Sequence, residues 1–124
     1  MTQPITITRA TADHVDLAAP LFDGYRQFYK QASDLDGCRH FLHERLTRDE
    51  SVVFLAMMDD KAVGFMQLYP SFSSISIKPL WVLNDLFVAP DARKLGVGSL
   101  LLERARQHAV ETGAKGLTLS TAAD

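Results

Sequence analysis

Apolar and polar residues alternate through Ile5-Thr6-Ile7-Thr8, all of them β-branched, which predicts a first strand. Thr11 and Asp13 then offer N-caps for a helix whose face is marked by Leu17, Leu21, Phe22, Tyr25, Phe28 and Tyr29. Pro20 lies within that helix and is expected to bend or shorten its first turns. A second helix is expected after Asp36, with Cys38, Phe41, Leu42 and Leu46 facing inward. Residues 52–58 read as a strand, Asp59-Asp60-Lys61 as a turn, and residues 62–69 as the returning strand of a hairpin. Residues 71–76 read as a loop and 80–88 as a strand, followed by a Pro90-Asp91 turn. Residues 97–112 form the clearest helix, spaced by Val97, Leu100, Leu101, Arg104, Ala105 and His108, with Gly113 placed at C′. A last strand spans 116–121. The order β-α-α-β-β-β-α-β predicts an α/β domain, mostly antiparallel at its start and closed by one β-α-β unit.

Composition narrows the function. The 124 residues are enough for one domain, with 47% hydrophobic and 23% charged residues. Thirteen Lys and Arg stand against fifteen Asp and Glu, a net charge of −2, so there is no basic excess to neutralise a phosphate backbone and nucleic acid is not an expected partner. No secretory signal pattern opens the chain, and its longest apolar run, residues 52–58, is too short for a membrane span. Cys38 is the single cysteine, which rules out an internal disulfide and fits a reducing, cytoplasmic compartment. His40 and His43 lie two and five residues after it, a spacing that does not put three ligands on one helical face, so no metal site is expected.

The candidate chemistry sits where the 80–88 strand runs through a glycine-containing turn into the 97–112 helix. The first turn of a helix has unpaired N–H groups and the positive end of the macrodipole. Gly96 and Gly98 remove Cβ atoms that would keep an anion away, so the turn reads as a pyrophosphate cradle built from backbone.

In that setting Arg93-Lys94-Leu95-Gly96-Val97-Gly98 matches the Arg/Gln-x-x-Gly-x-Gly/Ala signature of the GCN5-related N-acetyltransferases (GNAT), and the chain resembles that family. The resemblance follows element order over nearly the whole chain and is sharp from about residue 83 to 119. Leu83-Asn84-Asp85-Leu86-Phe87-Val88 looks most like the small-amine branch, which includes polyamine acetyltransferases. The resemblance implies a mixed, mostly antiparallel sheet flanked by helices. It also implies an enzyme that moves an acetyl group from acetyl-CoA directly to a primary amine of a small molecule in a ternary complex. Backbone groups of Leu86, Phe87 and Val88 would pair with the pantetheine arm like an added strand. Backbone N–H groups of Lys94, Leu95, Gly96, Val97, Gly98 and Ser99 would hold the pyrophosphate, with Arg93 and Lys94 adding charge. The family continues past the last strand with a helix, commonly carrying an Asn and a Tyr that protonates the departing thiolate, and with further strands. Residues 1–124 are therefore expected to form a single domain that lacks its C-terminal part and is a poor catalyst by itself. Its unpaired last strand favours a homo-oligomer, a dimer foremost.

An alkylamine has a pKa near about 10.4 and must lose a proton before it can attack a thioester. Asp85 is the carboxylate beside the cofactor strand, with either a substrate role or a solvated, salt-bridged one. In the small-amine branch the position of Asn84 is commonly Glu and serves deprotonation; Asn cannot accept the proton. Neighbouring strand residues point to opposite faces, so Asn84 and Asp85 share the cleft only across a bulge. Tyr25 and Tyr29 are candidates for the acceptor wall, Phe28 for the core, and Trp81 and Tyr69 for the pocket. Three rivals stay open: a CoA-binding module without turnover, a protein or peptide acetyltransferase, and a generic nucleotide binder.

Overall fold

Side-chain caps open the 3-10 turn ahead of the first helix and the second helix itself. The computed structural model describes residues 4–120. Asp13 N donates to Thr11 Oγ1 (3.2 Å) and Thr11 N donates to His14 Nδ1 (2.8 Å), closing a 3-10 turn that leads into α1, Val15–Phe28. Pro20 lies inside α1, yet the helix starts five residues before it and is not shortened; the exposed ring leaves the lost backbone bond to water. In α2, Leu35–Thr47, the cap is Asp34, whose Oδ1 accepts from Gly37 N at 3.0 Å, so the helix begins one residue before Asp36. Cys38 and Leu42 are buried on it, with Phe41 and Leu46 packed around them as the spacing predicted.

The five strands are β1 (Ile5–Arg9), β2 (Val52–Met58), β3 (Lys61–Ser73), β4 (Lys78–Val88) and β5 (Leu117–Leu119), in that spatial order. The first three pairings are antiparallel, and β4 pairs parallel to β5 across the crossover helix α3, Val97–Glu111. The β3–β4 hairpin is longer than predicted. Its ladder runs to Ser73 opposite Lys78, so only residues 74–77 turn. Backbone pairing holds this tip together while its side chains stay in water, Ile75 at 96% exposure. β5 is shorter than the predicted 116–121, and Thr121 lies outside the described residues.

The sheet is buried on both faces. Val53, Leu55 and Phe65 meet Phe22 and Leu42 of α1 and α2. Phe54, Met66, Leu68 and Leu83 meet Val97 and Leu101 of α3. Each such large side chain contributes about 1.5–3 kcal/mol by burial. Burial on both sides explains why β2 is an unbroken apolar run rather than an alternating one. Two helical positions depart from expectation. Leu100 is largely exposed, and the buried stripe of α3 is Val97, Leu101, Ala105, His108 and Ala109. Phe28 is not core: as the last residue of α1 it stands 66% exposed, edge-on to Tyr29.

Candidate active site

β4 changes partners halfway along. β5 pairs only with Trp81, Val82 and Leu83, and the last link is Ser120 N donating to Leu83 O at 2.9 Å. From residue 84 to 88 β4 keeps β3 on one edge, and among the described residues no strand lies on the other. Gln67 lies opposite Asp85 and Leu68 opposite Leu83, which leaves Asn84 unmatched as a β-bulge. Ala89 N donates to Val63 O at 2.8 Å, so by antiparallel alternation residues 85 and 87 also direct their backbone groups at β3. Leu86 and Val88 are left facing the open edge. The backbone of Phe87 is thus turned away from the position expected for it, and its ring packs on α1, where a Cβ on Gly24 would come within 2.9 Å of it.

The open edge leads to the start of α3. Gly96, with φ of 76°, is the N-cap in the left-handed region that glycine adopts without strain. Having no side chain, it cannot cap, and the first turn of α3 contains no acidic residue. Asp34 and Thr11 fill that role elsewhere; here the N–H groups of Val97, Gly98 and Ser99 are left to an outside anion. Val97 fixes the helix: it is fully buried, and a Cβ on Gly64 would stand 2.7 Å from its Cγ1. A Cβ on Gly98 would meet nothing within 4 Å, so the space over the terminus is open. These features fit a pyrophosphate. Lys94, Leu95 and Ser99 are exposed around it. Arg93 is tied back, its Nε donating to Val88 O at 3.1 Å and its guanidinium 5.5 Å over Phe87. The neighbouring cleft of about 520 Å³ is lined by Asp59, Asp60 and Asp91 with Lys61, the wrong charge balance for a polyphosphate.

On the α1 face of β4 a chain of buried polar groups converges on Asp85. Ser51 Oγ donates to Gln67 Oε1 (2.8 Å), and Gln67 Nε2 donates to Asp85 Oδ2 (2.5 Å). The bulge turns Asn84 toward the same carboxylate, so Asn84 Nδ2 donates to Asp85 Oδ1 (2.8 Å). Tyr25 OH donates to Asn84 O at 3.0 Å and also lies in hydrogen-bonding reach of Asp85. Asp85 is therefore neither solvated nor salt-bridged. It is 2% exposed, and burial raises its pKa above the ordinary carboxylate value against the lowering effect of these donors. The hydroxyls of Tyr25 and Tyr69 are pushed upward as well, first by burial and then by Asp85.

The structure brings Asn84, Asp85, Tyr25 and Tyr69 together, with Tyr29 beside Tyr25 at 5.1 Å between rings. Trp81 is elsewhere. Its Nε1 donates to Thr112 Oγ1 and its ring lies 4.7 Å from that of His108, on the α3 side. Gln67 and Ser51 escaped the sequence reading. A glutamine inside the apolar run of β3 was the signal for them. Among the described residues no cluster of His, Cys, Asp and Glu could hold a metal, and no helix is long and apolar enough to cross a membrane.

An open strand edge runs into an uncapped helix at this site. The model of the acetyltransferase (GNAT) family matches residues 18–124. YhfO, an uncharacterized N-acetyltransferase of Bacillus subtilis (strain 168), is 49% identical over 117 residues, which is 94% of this chain and 78% of the relative. A probable acetyltransferase of Haemophilus influenzae (strain ATCC 51907 / DSM 11121 / KW20 / Rd) is 34% identical over 94 residues, 75% of this chain and 64% of its own length. The crystal structure of a probable acetyltransferase superposes with a TM-score of 0.88 at 49% identity, covering 94% of this chain and 80% of that one. The fold is shared at 22% identity and a TM-score of 0.76 with the aminoglycoside N-acetyltransferase AAC(6')-Iy in complex with CoA, over 98% of this chain and 80% of that one. The chain belongs to the GNAT family of acetyl-CoA-dependent N-acetyltransferases.

Proposed function

We propose that this protein transfers the acetyl group of acetyl-CoA directly to a primary amine of a small molecule, both substrates being bound together. The observation that carries this reading is the junction of the open β4 edge with the uncapped start of α3. Leu86, and Val88 through its N–H since Arg93 holds its carbonyl, would pair with the pantetheine arm, and residues 94–99 would hold the pyrophosphate. Beside that edge lies Asp85, a buried carboxylate in no salt bridge among the described residues, where an ammonium would find an opposite charge. Tyr25 and Tyr29 would line the approach. The amine gives up a proton and forms the new N–C bond, and the thiolate of CoA leaves and is protonated. The aminoglycoside acetyltransferase meta-AAC0020, which shares this fold at 23% identity, has been crystallised with sisomicin, and small amines are the acceptor class we assign here. A cytoplasmic homo-oligomer formed of single-domain chains is part of the same reading.

One observation favours a second reading, a CoA-binding module without turnover. Asn84 cannot take a proton, and Asp85 is sealed at 2% exposure. Thiol release from acetyl-CoA with a panel of amines, beside a CoA-binding titration, separates the two. Gly98→Val fills the space over the α3 terminus without touching the core, and we expect it to weaken acetyl-CoA binding about 100-fold, a loss near 2.7 kcal/mol. A folded Gly98→Val protein with the parent's affinity would place the phosphates elsewhere.

A further inference from the structure

Asp85 does not hold its orientation by itself. Its two oxygens are occupied by two amide donors, Gln67 Nε2 from β3 and Asn84 Nδ2 from the bulge. An amide side chain can present either its N–H₂ or its carbonyl to a neighbour, and only the first suits an ionised carboxylate. The choice for Gln67 is made on its far side. Ser51, in the loop before β2 and 3% exposed, donates its hydroxyl to Gln67 Oε1 at 2.8 Å. With Oε1 engaged there, Nε2 is aimed at Asp85. A protonated Asp85 needs an acceptor instead, which Gln67 supplies only by turning over, with its Nε2 then donating to Ser51 Oγ. The Ser51 hydroxyl can rotate to accept, so the Ser51–Gln67 and Gln67–Asp85 links are kept in both arrangements.

We propose that Ser51 and Gln67 form a positioning pair that holds Asp85 as an acceptor-only carboxylate on the α1 face of β4, and that Gln67 is a positioning residue for acetyl transfer although it touches neither substrate. The inference rests on the reading that Asp85 serves the acceptor amine. The location of the pair agrees with it. Gln67 is fully buried between Asp85 and Ser51, so no water competes for its amide. The other titratable groups turned toward Asp85 are the phenols of Tyr25 from α1 and Tyr69 from β3, with Arg45 of α2 beside Tyr69. The phenols stay protonated over the relevant range; of the two amides on Asp85, Asn84 and Gln67, it is Gln67 whose far side is engaged by a third group, Ser51.

Carboxyl ¹³C NMR of the 124-residue chain, with aspartate labelled, follows the Asp85 titration without requiring turnover. Removing a donor from an ionised carboxylate disfavours the charged form. We expect the Asp85 midpoint to rise by about one unit in Gln67→Leu, and by a smaller amount in Ser51→Ala, where Gln67 is free to turn. The acetyl-CoA dissociation constant should be unchanged in both. In the enzyme assay the acidic limb of kcat/KM for the amine should move with the same midpoints, which a merely structural role would not produce. Midpoints equal to the parent's in both variants overturn the proposal. Should Gln67→Leu fail to fold, Ser51→Ala decides alone, supporting the pair if its midpoint rises and sinking it if not. Asp85→Ala tests the underlying reading separately: amine kinetics unchanged from the parent would remove Asp85 from the site, whatever the NMR titration gives.

Discussion

Two carboxylates are buried among the described residues, Asp23 in α1 and Asp85 in β4, and their surroundings drive them in opposite directions. Asp23 Oδ2 accepts from Ser33 Oγ (2.7 Å) and Gln27 Nε2 (3.1 Å), while Oδ1 accepts from Asp34 N (2.8 Å) and Cys38 Sγ (3.9 Å). These bonds, Ser33's foremost, hold its pKa below the usual carboxylate value, and Arg26 adds positive charge. Asp85 has amide and phenol donors and no cation to match Arg26, and burial outweighs them. Both side chains are closed to solvent, but burial is the leading influence on Asp85, whereas for Asp23 it ranks behind the hydrogen bonds from Ser33 and Asp34. Asp23 ties the α1–α2 connection into a knot. Asp85, held by neutral donors and facing no cation among the described residues, lies beside an open strand edge, and perturbed carboxylates of this kind are common at ligand sites.

The largest expected effect comes from undoing the knot. Asp23→Ala would leave Ser33 Oγ, Asp34 N and Gln27 Nε2 without their acceptor, and Asp34 in turn caps α2 through Gly37 N. A loss of about 3 kcal/mol in urea unfolding is expected. A loss below about 1 kcal/mol would mean that water replaces these bonds freely and that Asp23 is not structural.

Asp85→Asn should have the opposite sign. The substitution removes a charge that the fold holds at a cost, and Gln67 can turn its carbonyl to the new amide while Ser51 accepts from Gln67. A gain of about 1 kcal/mol at neutral pH is expected, together with a loss of amine acetylation. An Asp85→Asn protein less stable than the parent would put Asp85 in the same structural class as Asp23.

How much of this was legible beforehand depends on where each feature is encoded. The limits of β2 were readable to the residue, because a strand buried on both faces is an uninterrupted apolar run. The start of α3 was equally plain, since Gly96 and Gly98 carry the requirement locally. The bulge at Asn84 was not, because it arises from the register between β4 and β3 and no local residue specifies it. Asp85 was found by its place beside the cofactor strand, whereas its burial and its link to Gln67 and Ser51 depend on strands distant in the chain. Phe28 was misplaced because helical spacing gives a face but not whether the last residue of a helix is covered. The hairpin tip was misread from its serines, which say nothing about backbone pairing.

The smallest and sharpest contrast is in pH dependence. A carboxylate whose folded pKa lies below its unfolded value of about 3.9 stabilises the fold above that value, and the stabilisation is lost as pH falls through the folded pKa. Asp23 is of this kind. The stability deficit of Asp23→Asn should therefore be least at the lowest pH, grow as pH rises, and be level by about pH 5. A carboxylate whose folded pKa is raised costs stability once both states are ionised, and that cost is relieved as pH falls toward the unfolded value. Asp85 is of this kind. The gain from Asp85→Asn should be near zero below about pH 3.9, grow with rising pH, and level off above the folded pKa of Asp85. One proton moves in each case, so neither difference curve can be steeper than about 1.4 kcal/mol per pH unit. Subtracting the parent's curve cancels groups common to all three proteins, including His108, which burial shifts downward. Urea unfolding at intervals from pH 3 to 7 measures both curves. If the Asp85→Asn advantage shrank as pH rose, the fold would favour the ionised carboxylate, and the contrast between the two aspartates would fail.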